Sequence, residues 1–115
     1  MAIPHAKPGE LIDVQPLGAA IAGTKSHTLI KTEMLEVIRI VMPAGKELPP
    51  HAVPGEITVQ CLEGQVEFRI GNVPHAMTAG TMLYVGAGEQ HSLRAEQDAT
   101  VLVTIVLGRK AVGAS

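Results

Sequence analysis

Residues 45–64 read GKELPPHAVPGEITVQCLEG, and residues 80–95 read GTMLYVGAGEQHSLRA. Each stretch opens on a glycine and sets a histidine, His51 or His91, beside a bend rich in proline or glycine. Pro49-Pro50, Pro54-Gly55 and Gly86-Ala87-Gly88 interrupt the chain too often for a helix to propagate. Between the breaks, Ile57, Val59 and Cys61 recur every second residue, which puts them on one face of an extended strand. Short strands joined by tight bends are the expectation for both stretches.

The same pattern continues outward. In Val66-Glu67-Phe68-Arg69-Ile70 the apolar side chains share one face and the charges the other, and Gly71-Asn72 then supplies residues that tolerate the positive φ of a hairpin turn. Thr81 to Val85 is a further short strand between glycines. Met34 to Met42 and Val101 to Leu107 are more continuously apolar and β-branched, as in strands covered on both faces or at a subunit contact. In the first thirty residues, Leu17 to Ala22 is small and apolar, and Ser26 to Lys31 reads as an opening strand. With no repeat or linker to divide 115 residues, six or more strands in one domain predict a sandwich or jelly roll.

Composition narrows the function classes. Hydrophobic residues make up 46% of the chain and charged residues 17%, enough to bury a core. That core is aliphatic, because Phe68 and Tyr84 are the whole aromatic complement. Base or sugar stacking has few platforms, and the nine Lys and Arg, scattered in a chain of net charge −2, form no stripe for a phosphate backbone. Nucleic acid is not an expected partner. Neither is a membrane, since Val101 to Leu107 is far shorter than the roughly 20 residues a spanning helix needs. Met1 to Glu10 lack the apolar core of a secretory signal, and the lone Cys61 has no intrachain disulfide partner, so a reducing, cytoplasmic setting is expected.

The two opening stretches resemble the paired motifs of the cupin superfamily. The first motif reads glycine, five residues, His-x-His, three or four residues, Glu, six residues, glycine, and is matched by Gly45, His51 and Gly64. The second reads glycine, five residues, Pro-x-Gly, two residues, His, three residues, Asn, and is matched by Gly80, Gly88 and His91. The resemblance implies an all-β, single-domain cupin jelly roll (a double-stranded β-helix barrel) over residues 34–107. Residues 1–33 would then be an N-terminal segment, with strands packing on the barrel or a dimer partner, and residues 108–115 a C-terminal tail. Cupins that bind metal use the two motif-one histidines, the motif-one glutamate and the motif-two histidine. Here the second histidine position is Val53, the glutamate position Ile57, the motif-two proline Gly86 and its asparagine Ala95.

Half of that ligand set is therefore replaced. His51 and His91 remain as candidate metal ligands, with Glu56 a possible third if a bulge after Pro54-Gly55 turned it inward. Strand alternation would add Val53, Ile57, Val59 and Cys61 to the lining of one interior, apolar save for the histidines. A catalytic metal ordinarily needs three protein ligands, so a divalent transition metal is a possible cofactor but tight binding is not expected. Cys61 packs as a small hydrophobe unless a nearby charge activates it. Arg39 and Arg94, alternating with apolar residues, are expected to face solvent. The expected function is a barrel holding a small, mostly apolar molecule oriented by His51 and His91. One alternative is a metal-dependent enzyme of dioxygenase or isomerase type using those histidines and a third group. Another is a structural or regulatory dimer. A homodimer is expected in any case, because cupins commonly pair and the apolar strands exceed the needs of one small barrel face.

Overall fold

A computed structural model of the chain describes residues 5–108. Nine strands follow one another: β1 His27–Lys31, β2 Leu35–Met42, β3 Glu47–His51, β4 Ile57–Glu63, β5 Gln65–Ile70, β6 Val73–Thr78, β7 Met82–Val85, β8 His91–Ala95 and β9 Ala99–Val106. A single 3₁₀ turn, Gly18–Gly23, precedes them. The strands form a five-stranded sheet in the order β1-β2-β9-β4-β7 and a four-stranded sheet in the order β3-β8-β5-β6, antiparallel at every pairing. The all-β jelly roll read from the sequence is the observed architecture.

Period-two alternation decides what each strand gives to the interior. Ile57, Val59 and Cys61 of β4 meet Val66 and Phe68 of β5, Leu93 and Ala95 of β8, and Val101 and Val103 of β9 in one core between the sheets. The β5–β6 hairpin closes at Gly71, where φ is +59°. Pro49 and Pro50 lie inside β3 and do not break it. That strand is at a sheet edge, where a proline removes no ladder hydrogen bond the sheet requires.

The opening residues do more than lead into the barrel. β1 joins the larger sheet beside β2, and residues 15–18 lie across that sheet's outer side. On β2, Ile38, Ile40 and Met42 face inward, so Val37, Arg39 and Val41 face outward, yet all three outward side chains are buried. This corrects the solvent-facing expectation for Arg39, which donates to the carbonyl of Gln15 and is only 3% exposed. It also accounts for the excess apolar character of β2, whose outer face is covered within the chain. Glu63 anchors the covering segment: its carboxylate accepts from the Leu17 and Gly18 amides at 2.7 and 3.0 Å and from the Thr100 hydroxyl at 2.8 Å, with Arg39 Nη2 at 3.8 Å. Among the described residues no helix is long and apolar enough to cross a membrane. The C-terminal tail beyond Gly108 lies outside the described residues.

Candidate functional site

His51 ends β3 and His91 begins β8, and the ladder between those strands sets the two residues directly opposite each other. Their ring centroids are 4.5 Å apart, at an interplanar angle of 59°. On its other side His91 stacks on Phe68 of β5, at 5.6 Å and 11°. The register of β3 shifts between Leu48 and His51, and this irregularity brings the His51 ring to the His91 ring at the sheet edge. His91 is buried at 4% exposure, whereas His51 is exposed, so one ring is at depth and the other at the rim.

Both rings are held the same way. Nδ1 of His51 lies 3.3 Å from the carbonyl oxygen of Pro49, and Nδ1 of His91 lies 3.0 Å from that of Glu89. A carbonyl oxygen only accepts, so each Nδ1 carries a proton, and in the neutral ring Nε2 keeps a lone pair. The loops bearing the rings are tied together as well, through the Gly88 amide donating to the Val53 carbonyl at 2.9 Å.

The rings border a cavity of about 100 Å³ between the sheets. Ile57, Val59 and Val53 line it, as alternation along the first stretch implies. So do Ile38 and Ile40 of β2 and Phe68 of β5, which the sequence reading did not place there. The periodicity of these strands gives their inward faces. That β2 shares a sheet with β4, and β5 one with β3 and β8, around this cavity depends on topology, which periodicity does not encode.

Two expected participants are elsewhere. Cys61 is not part of the cavity wall; its Sγ lies 3.4 Å from the Glu63 carbonyl oxygen, deep in the core. Burial pushes its thiol pKa up, and the adjacent Glu63 carboxylate adds to the rise, so it is packing material and not a nucleophile. Glu56 keeps the outward direction of regular alternation, because Ile57 is the inward residue and no bulge reverses it. Its carboxylate accepts from the Tyr84 hydroxyl at 2.7 Å, and that hydrogen bond, followed by the carboxylate's charge, raises the Tyr84 pKa. Glu56 therefore supplies no third ligand.

The donor set can be tested against a cupin metal on these positions. Two imidazoles face an apolar wall, and no group of three His, Cys, Asp or Glu side chains converges anywhere among the described residues. A three-ligand catalytic centre does not fit this arrangement.

A family model described as Cupin domain matches residues 38–107. Solved structures similar to this chain include an RmlC-like cupin protein from Desulfovibrio desulfuricans, 27% identical, with a TM-score of 0.68 over 89% of this chain and 97% of that one. A conserved protein of unknown function from Streptococcus pyogenes is 21% identical, with a TM-score of 0.71 over 92% and 94%. KdgF from a Halomonas species is 16% identical, with a TM-score of 0.67 over 76% and 81%. Likenesses at the two lower identities speak for the fold alone. No curated protein matches the sequence.

Proposed function

This chain belongs to the cupin domain family, and on that premise we propose that its barrel binds a small, mostly apolar molecule between His51 and His91 without a complete catalytic metal site. The observation that carries the reading is the cavity itself, whose wall is aliphatic and aromatic except for two imidazoles at one end. An apolar recess with a few convergent polar atoms is the usual form of a small-molecule site. At about 100 Å³ it is smaller than the ~150 Å³ apolar cavity that admits benzene. An occupant therefore either has few heavy atoms or extends past His51 into solvent.

The dioxygenase or isomerase alternative has less support, because Val53 and Ile57 stand where ligands would be needed and Glu56 is engaged with Tyr84. Protein purified without an affinity tag or chelator is expected to hold far less than one equivalent of transition metal by elemental analysis. A full equivalent that persisted through dialysis would reverse that judgement.

A thermal-shift screen of small phenols, alcohols and acids tests the binding reading. A ligand at a hundredfold its Kd stabilises the native state by about 2.7 kcal/mol, an easily read rise in Tm for a chain of this size. At least one stabiliser is expected, and its effect should weaken in His51→Ala. A flat screen, together with a crystal structure showing the cavity closed by side chains, would favour a purely structural role.

A further inference from the structure

We propose that the occupant of this cavity is a neutral hydrogen-bond donor of the alcohol or phenol class, received by Nε2 of His51 and Nε2 of His91, and not a carboxylate or other anion. The inference rests on the binding reading above and adds the chemistry of the ligand.

Three observations converge on it. First, each Nδ1 donates to a carbonyl two residues back along its own strand or loop, at 3.3 Å for His51 and 3.0 Å for His91. In a neutral ring this contact commits the proton to Nδ1, and Nε2 presents a lone pair. Neither Nε2 has a protein partner among the described residues, so the polar end of the cavity offers acceptors and asks for donors.

Second, the cavity offers an anion no fixed cation. No Lys or Arg lines the cavity. Arg39 is on the far side of the larger sheet with Glu63 and the Gln15 carbonyl. Arg69 and Arg94 border a groove on the outer face of the smaller sheet, paired with Glu67 and Glu96. A carboxylate in the cavity would lose its water against aliphatic side chains, with no lysine or arginine in return.

Third, the rest of the wall rewards an apolar body. Ile38, Ile40 and Ile57 give dispersion contacts, and Phe68 backs His91, fixing the plane of the deeper ring. A molecule with one or two hydroxyls on a hydrocarbon frame satisfies both halves of the site, whereas a pure hydrocarbon leaves the two acceptors dry.

Isothermal titration of the whole chain at pH 7.5 with phenol, anisole and benzoate separates the possibilities. Phenol supplies a donor, anisole has nearly the same body without one, and benzoate carries an anion. Phenol is expected to bind at least tenfold more tightly than anisole, and benzoate more weakly than both. In His51→Leu, a change at an exposed rim residue, the preference for phenol over anisole should shrink several-fold. Long-range ¹⁵N–¹H spectra of the free protein should show both imidazoles protonated on Nδ1. Equal binding of phenol and anisole, tighter binding of benzoate, or either ring protonated on Nε2 overturns the donor proposal and leaves the binding reading standing. Absence of binding by all three probes and by the smaller alcohols ethanol and 2-propanol, with the fold intact, overturns both.

Discussion

At Gly64 the backbone takes φ of +77°, and a Cβ placed there would lie 2.0 Å from the carbonyl oxygen of Asp98. Gly64→Ala should therefore cost about 2 kcal/mol or more, from the left-handed backbone and the clash together, read as a lower midpoint in urea at unchanged m. A midpoint within error of wild type would contradict the tight corner. The neighbouring Glu63 makes a different prediction. Partial burial acts to raise its carboxyl pKa, but the Leu17 and Gly18 amides, the Thr100 hydroxyl and Arg39 outweigh it and hold the group below its ordinary value of 4.5. A carboxyl lowered on folding stabilises the protein above that ordinary value, and the contribution is lost as pH falls through the folded value. Glu63→Gln should destabilise by about 3 kcal/mol at pH 7, since it leaves the buried Arg39 without its counter-charge, and it should flatten the acid limb of the stability curve. An unchanged acid limb would show that the carboxylate is not the anchor. Residue identity alone gave no sign of either role for Glu63, because its partners are Leu17 and Gly18, far away in the chain.

At the scale of elements, alternation was a reliable guide wherever one face of a strand meets the core. Ile57 pointing inward and Glu56 outward follows from period two alone, and so does the inward set Val66 and Phe68 on β5. Alternation failed on β2, where Arg39 sits among apolar residues and is nevertheless buried, because a second layer, the segment through Gln15 and Leu17, covers the outer face. Nothing in the local pattern distinguishes a solvated outer face from one covered by a distant segment. Cys61 shows a similar limit: its inward facing was legible, but its depth along β4, beyond the end of the cavity, was not. The covering segment carries its own prediction. Deletion of residues 1–18 should expose Val37, Arg39 and Val41, lower Tm and raise binding of an apolar dye. A truncated chain as stable as the full one would mean that the segment contributes nothing to the fold. His51 and His91, by contrast, were legible as a pair from motif spacing, and the β3–β8 ladder sets them opposite each other.

For the whole molecule, the outer side of the larger sheet is covered by the N-terminal segment over β2 but not over β7. There Met82 and Tyr84 are exposed, with Val106 of β9 on the same side of the sheet. β7 is also an edge strand, with backbone groups free to pair or to be covered. We propose that two chains meet over this region as a homodimer, with a solution mass about twice the 12.1 kDa of one chain. Multi-angle light scattering of wild type at micromolar concentration should give that value, and Tyr84→Lys combined with Met82→Lys should return the monomer. A monomeric wild type would refute it. The proposed ligand site lies in the interior. Its most direct test is a methyl-region NMR titration of the whole protein with phenol, assigned at Ile38, Ile40, Ile57 and Val59. Saturable ring-current shifts concentrated at those methyls, together with shifts of the His51 and His91 imidazoles, are the predicted result. Shifts confined to the outer groove at Arg69 and Arg94, or none at saturating phenol or saturating 2-propanol, would contradict a ligand site inside the barrel.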